Sequence, residues 1–234
     1  MHALIDFGRG SLFRFAAAIA LLGLLRHAAL SLWGLYQVRR HAGDKRLALG
    51  TILARTVTTL NPLRYFVGQR WLYSILSTAF HVGLILVPIF FLGHVRLWRR
   101  GLGFGWPALP LGVADVLTWV TVATGVLLVV ARAAASTSRA LSRRQDWLLP
   151  PLIALEFLSG WLLAHPRSNP FALDTVMLLH VYTGDLLLLV TPFTKIAHCA
   201  LLPFSQLAAE LAWRFVPGAG NDVAKTLGKE GQPI

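Results

Sequence analysis

Five stretches of this chain carry an apolar run close to the ~20 residues that a membrane-spanning helix needs. They are roughly Leu12–Tyr36, Trp71–Leu92, Val113–Ala134, Trp147–Leu163 and Thr175–Leu202. Arg26 and His27 interrupt the first, and the fourth opens on Pro150 and Pro151. The segments between them are polar or basic. The pattern predicts an all-α fold, an integral membrane bundle of five transmembrane helices. The first connection, Gln37–Arg70, is long enough for a short amphipathic helix. Phe204–Phe215 keeps apolar residues at helical spacing (Leu207, Leu211, Phe215). After Pro217 comes "GAGNDVAKTLGKEGQPI", polar, Gly-rich and expected to be extended. The expected division is a membrane domain over residues 1–203 and a cytoplasmic tail over 204–234. No internal repeat of 20–50 residues interrupts this reading.

Lys and Arg then orient the spans, because basic residues collect in cytoplasmic loops. One side carries fifteen: Arg39, Arg40, Lys45, Arg46, Arg55, Arg64 and Arg70 in the first loop, Arg132, Arg139, Arg143 and Arg144 in the third, and Lys195, Arg214, Lys225 and Lys229 at the end. The other side carries six: Arg9, Arg14, Arg96, Arg99, Arg100 and Arg167. The N-terminus is expected outside and the C-terminus in the cytoplasm, which an odd number of spans allows.

Composition agrees with that class. The 234 residues are 56% hydrophobic and 14% charged, against about 25% charged in a soluble domain. The formal charge of +12 does not point to nucleic acid, since the basic residues sit between apolar runs. No Ala-x-Ala-like exit precedes the Arg-rich first loop, so no cleaved signal peptide is expected. One cysteine, Cys199, excludes an intrachain disulfide and a Cys-x-x-Cys-His haem attachment site.

The histidines carry the chemistry. His180 and His198 fall in the fifth span, eighteen residues apart. On one uninterrupted helix that is five turns, so both would share a face about 27 Å apart along the axis. The second span holds His81 and His94. It runs in the opposite direction, so depth pairs His81 with His198 on the inner side and His94 with His180 on the outer side. Paired imidazoles from facing helices are axial ligands for two stacked haems. Ionisable residues inside a membrane are functional candidates by default, although any single one can equally be bonded to a backbone carbonyl. Thirteen residues leave His81 and His94 roughly 140° apart on an ideal helix. Pro88, between them, is expected to kink that helix or admit a π-type irregularity. His2 and His41 read as solvated and His27 as a core hydrogen bonder or a neighbour of the inner haem. His165, in "AHPRSNP", is an outer-loop alternative to His94.

With these residues in view, the chain resembles the gamma subunit of respiratory nitrate reductases, a dihaem cytochrome b. "FHVG" at Phe80–Gly83, "GH" at Gly93–His94 and the eighteen-residue spacing of the fifth span carry the resemblance over about Trp71–Phe204. The thirteen-residue spacing in "HVGLILVPIFFLGHVRLW" and the tail "TLGKEGQPI" look closer to the related subunits of heterodisulfide-reductase-like complexes, including the one linked to dissimilatory sulfite reductase. The resemblance implies two b-type haems, the inner on His81 and His198 and the outer on His94 and His180. It implies electron transfer between membrane quinone (menaquinone or ubiquinone) and a cytoplasmic iron–sulfur subunit of heterodisulfide-reductase-like type. The quinone site would lie by the outer haem, with Gly93 and His94 at its edge, in a bacterial or archaeal cytoplasmic membrane.

Remaining polar residues fill in the picture. Arg96, near His94, is a candidate partner for an outer-haem propionate, and Arg64 and Arg70 for an inner one. The bland reading of each is interface anchoring. Trp98, Trp106 and Trp161 fit an aromatic belt. Arg26, Glu156 and Asp185 fall near mid-membrane depth, where an ion pair of Arg26 with either acid is expected, a proton path being the alternative. The segment Gly218–Ile234 is a candidate docking segment for the soluble partner. Two other functions compete. A transporter would need broken helices in matching halves, and only Pro88 and Thr191–Pro192 offer them. A haem-free anchor would leave four deep histidines unexplained.

Overall fold

In a computed structural model of the chain, the described residues are 1–41, 49–61, 66–67, 71–211 and 218–232. Among them every regular element is helical. Five helical stretches are long and apolar enough to cross a membrane: His2–Gln37, Trp71–Phe90, Leu111–Ala134, Arg144–Ala164 and Leu173–Phe193. That is compatible with a multi-pass membrane protein. Lys45, Arg46, Arg64, Arg70, Arg214 and Phe215, named above, lie outside the described residues.

The chain divides into two compact units, Met1–Ala20 with Tyr65–Val190 and Leu21–Arg64 with Thr191–Ile234. The first opens with α1 (His2–Phe7), which runs through a π-helical turn at Gly8–Leu12 into α2 (Phe13–His41). The helix thus starts some ten residues earlier than the apolar run at Leu12 suggests. Packing explains the extension. Gly8 lies against Val181 and Tyr182, and the Tyr182 hydroxyl donates to the Leu4 carbonyl at 3.3 Å.

The second span begins as α4 (Trp71–Phe90) and packs along α6 (Leu111–Ala134). The facing stripe of α6 is Ala114, Thr118, Thr121 and Gly125, all buried and spaced at helical intervals. Small residues let helix backbones approach closely where lipid supplies no hydrophobic drive between helices. The threonine hydroxyls are satisfied inside α6, Thr121 donating to Leu117 O at 2.7 Å and Thr124 to Val120 O at 2.6 Å. "FHVG" serves this contact. Phe80 covers Gly125, and Gly83 sits where any Cβ would strike Thr121 Oγ1 and lie 2.8 Å from the Leu117 carbonyl.

Pro88, expected to kink the helix or admit a π-type irregularity, lies inside α4. The helix continues to Phe90 and breaks at Phe91, whose backbone is extended (φ −65°, ψ 134°), before α5 (Leu92–Leu102) begins. Two carbonyls freed at the break are taken from outside the helix. Trp106 Nε1 donates to Ile89 O at 2.8 Å, and the Leu109 amide donates to Phe90 O at 2.9 Å. His81 and His94 therefore stand on different helices, and the rotation worked out for one straight helix does not apply.

After the short α7 (Ser136–Ala140) comes α8 (Arg144–Ala164), which starts three residues before the expected Trp147. The Arg143 amide donates to Asp146 Oδ2 at 2.8 Å, closing the first turn ahead of Pro150 and Pro151. α8 packs on α6 and on α9 (Leu173–Val190). Val87, Ile153 and Phe157 form the buried centre of this unit, with Phe80, Leu84, Phe91, Leu117 and Leu187 around them.

The fifth span is also broken, which corrects the expectation of one helix from Thr175 to Leu202. α9 stops at Val190. 3₁₀ turns at Thr191–Phe193 and Lys195–Ala197 follow, with an extended Thr194 between them, and α10 (His198–Leu211) then begins. The shared-face argument for His180 and His198 needed an unbroken helix, so it falls. Proline 192 cannot donate a helical hydrogen bond, and the second unit holds the break. Pro192 lies against Gly23, and His27 Nε2 donates to its carbonyl at 2.8 Å. Gly23 and His27 are one turn apart on α2.

In the same unit, α3 (Leu49–Leu60) is the amphipathic helix expected in the first loop, and it packs on α10. α10 runs across residue 204 without interruption. The tail expected to be extended forms α11 (Ala219–Thr226), with Gly220 and Ala224 buried. Asp222 in its first turn and Lys225 in its last both oppose the helix dipole charge at their ends.

The α4–α6 contact yields a prediction. Gly83→Ala must displace a backbone carbonyl and should cost about 1–3 kcal/mol. Gly112→Ala, where a Cβ meets nothing within 4 Å, should leave stability unchanged or slightly raised. Thermal unfolding of both variants in detergent, followed by helical circular dichroism, makes the comparison.

Candidate functional site

The break at Phe91 places His94 in the first turn of α5. Its Nδ1 lies 3.4 Å from the Val87 carbonyl, and the Phe91 ring meets it edge-on at 5.5 Å and 71°. Across from it, on α9, stands His180. The two imidazole planes are parallel to within 10°, with ring centroids 5.9 Å apart.

His180 is fixed from α8. Its Nδ1 lies 3.0 Å from Ser159 Oγ, 3.1 Å from Glu156 Oε1 and 3.2 Å from the Glu156 carbonyl. The buried Ser159 hydroxyl itself donates to Glu156 O at 2.9 Å, so it accepts from His180. The other Glu156 carboxylate oxygen accepts from Thr183, one turn beyond His180 on α9. Two glycines make room: a Cβ on Gly160 would lie 3.0 Å from His180 Cε1, and one on Gly184 would lie 2.9 Å from Glu156 Oε1.

These contacts decide the tautomers. A carbonyl only accepts, so Nδ1 of each ring carries the hydrogen and the neutral ring's lone pair is on Nε2. Among the described residues, neither Nε2 has a hydrogen-bond partner. Metal-bound histidines are oriented in this way, with the second ring nitrogen held by a carbonyl or carboxylate. The two rings stack with their centroids 5.9 Å apart, which brings two imidazoles from different helices side by side. Among the described residues no group of three or more His, Cys, Asp or Glu forms a metal cluster. A haem would ask only two imidazoles of the protein.

The remaining candidates fall as follows. His81, on α4, is half-buried, and its Nδ1 donates to Ser77 O at 2.6 Å. His198 opens α10, is exposed, and its Nδ1 donates to Lys195 O at 2.5 Å. Gly93 is exposed, and the Phe91 ring edge lies 3.0 Å from where its Cβ would be. Arg96 is exposed and two residues from His94, hence on another side of α5. His165 cannot replace His94, because both its nitrogens are engaged, Nδ1 by Trp161 O at 3.1 Å and Nε2 by Asp115 Oδ2 at 3.2 Å. Glu156, expected to pair with Arg26, pairs with His180 and Thr183 instead. Asp185 is 3% exposed, and its Oδ2 has no hydrogen-bond partner among the described residues.

Sequence reasoning missed Ser159, Gly160 and Thr183. The one available signal was "ESG"-like chemistry in "LEFLSGWL", where an acid, a hydroxyl and a glycine fall on one side of an apolar helix.

No family model and no solved structure matches the chain. A protein of Nitratidesulfovibrio vulgaris strain Hildenborough is 33% identical over 189 residues, 79% of this chain and 82% of that protein. The chain belongs to one family with it. That relative's name is simply "Protein", which assigns no activity.

The α8–α9 link can be tested by itself. Thr183→Val leaves a buried Glu156 oxygen without its donor and should cost about 1–3 kcal/mol, whereas Thr183→Ser should keep near-native stability. Chemical unfolding of the two variants in detergent measures the difference.

Proposed function

We propose that this chain is a membrane cytochrome b subunit that carries electrons between the quinone pool and a cytoplasmic iron–sulfur protein. The observation that carries the reading is the parallel His94–His180 pair at 5.9 Å, each ring with Nδ1 engaged. Five membrane-length helices and the resemblance to dihaem cytochrome b subunits support it.

In this reading His94 and His180 would hold the haem iron through their Nε2 lone pairs. Haem b, when bound, supplies a one-electron couple whose potential depends on its axial ligands, hydrogen bonds and burial. Ser159 and Glu156 hold His180 at its angle, and their contact with Nδ1 makes that imidazole a stronger donor. Val87 O and the Phe91 ring hold His94. The apolar centre of Val87, Ile153 and Phe157 excludes water from this side of α4 and α8.

The finer assignments rest on the resemblance. They are a second b-type haem on His81 and His198, and a quinone site, for menaquinone or ubiquinone, at the edge marked by Gly93. They also include Arg96 as a propionate partner and an iron–sulfur subunit of heterodisulfide-reductase-like type on the cytoplasmic side. The location follows as the cytoplasmic membrane of a bacterium or archaeon. In this reading chemistry on a soluble substrate is assigned to the partner.

The test is a reduced-minus-oxidised spectrum of the purified chain, with pyridine haemochrome quantification. Two b-type haems per chain are expected, falling to one in His94→Ala and in His180→Ala and unchanged in His165→Ala. A quinol analogue added to membranes should reduce the haem. A haem-free chain, prepared with adequate haem supply, would return the reading to an anchor or transporter.

A further inference from the structure

A cleft of about 230 Å³ opens beside the π-helical turn at Gly8–Leu12. Asp6, Arg9 and Arg14 line it from the start of the chain and Arg100 from α5, while Phe13 and Leu97 supply its apolar wall. Three guanidiniums against one carboxylate leave two positive charges uncompensated. None of these four charged side chains makes an ion pair or hydrogen bond among the described residues. Arg9 lies in the π turn itself and Arg14 in the first turn of α2 that follows it.

A second observation sets the depth of this cleft. Phe13, which forms its wall, meets Trp98 edge-on at 5.2 Å and 70°. Trp98 in turn neighbours Trp106 at 6.5 Å, and Trp106 neighbours Phe104 at 6.1 Å. Indole rings with an apolar body and a bonded N–H collect at the membrane–water boundary. The arginines therefore stand at the level of lipid headgroups.

We propose that this cleft binds the headgroup of an anionic glycerophospholipid. Arg9, Arg14 and Arg100 hold the phosphodiester through charge-assisted hydrogen bonds. Asp6 accepts from a headgroup hydroxyl. The acyl chains leave over Phe13 and Leu97. A free phosphate would make no use of the apolar wall, and a choline headgroup would bring a cation to a cleft with only one carboxylate. Basic pockets between membrane helices recognise lipid headgroups in this way. The proposal is independent of the haem reading.

The delipidated full-length chain in detergent, titrated with phosphatidylglycerol, phosphatidylcholine and inorganic phosphate and read by native mass spectrometry, tests it. Phosphatidylglycerol should bind saturably and phosphatidylcholine at least about tenfold more weakly, since two uncompensated charges are at stake. Arg9→Gln and Arg14→Gln should each weaken phosphatidylglycerol about fivefold. Arg99→Gln, an exposed arginine of α5 outside the cleft, should bind as the native chain does. Arg100→Gln reads the same cleft from α5 if the N-terminal variants fold poorly. Equal loss in Arg99→Gln, equal binding of phosphatidylcholine, or full displacement by inorganic phosphate would overturn the proposal. So would a change in haem spectrum without a change in lipid binding, which would assign the arginines to a propionate.

Discussion

A helix that breaks frees backbone groups, and each buried one needs a partner from the protein. The rest of this structure depends on how that constraint is met at Phe91. The α4 chain ends there because Trp106 and the Leu109 amide take the carbonyls of Ile89 and Phe90. That substitution lets α5 leave in a new direction and turns His94 toward His180. Pro88 removes one helical donor, but removal alone makes a kink. The returning loop converts it into a new helix with its own ring orientation. The second break follows the same rule with other means: Pro192 interrupts the ladder, and His27 donates to its carbonyl.

Close packing of α4 on α6 is the other half of the arrangement. It relies on hydroxyls that bond back into their own helix and on glycines that admit a neighbour. Gly83 and Phe80, two of the four residues of "FHVG", are spent on this contact, while His81 points its Nδ1 along its own helix to Ser77. A motif that looks like one functional unit is thus partly a packing device. The same economy appears at Gly160, which leaves the space that the His180 ring fills.

Much of this was legible in the sequence. Apolar run length gave five spans, because hydropathy is a property of composition and needs no tertiary knowledge. The amphipathic α3 was legible for the same reason. The two helix breaks were less so. Pro88 and Pro192 marked their neighbourhoods, but where each helix ended depended on partners far along the chain, Trp106 and Leu109 in one case and His27 in the other. The extension of α1 depended on Tyr182, and the helicity of α11 on burial of Gly220 and Ala224. The pairing of His94 with His180 was anticipated from depth, whereas the support of His180 by Ser159 and Glu156 was not. A serine and an acid on an apolar helix have many possible partners until α8 is laid beside α9.

His81, His94, His180 and His198 each direct Nδ1 to a carbonyl of the backbone, at 2.6, 3.4, 3.2 and 2.5 Å. That contact fixes the proton on Nδ1 and, in the neutral ring, the lone pair on Nε2. His27 does the reverse and donates through Nε2, and His165 commits both nitrogens. His165 shares the Nδ1 contact, to Trp161 O at 3.1 Å, so a carbonyl-bound Nδ1 also serves a histidine bonded within its own helix. A histidine that must present Nε2 to a metal needs Nδ1 occupied. The Nδ1 contact is therefore necessary for a ligand but does not single one out; what distinguishes His94 and His180 is that their rings also meet across two helices.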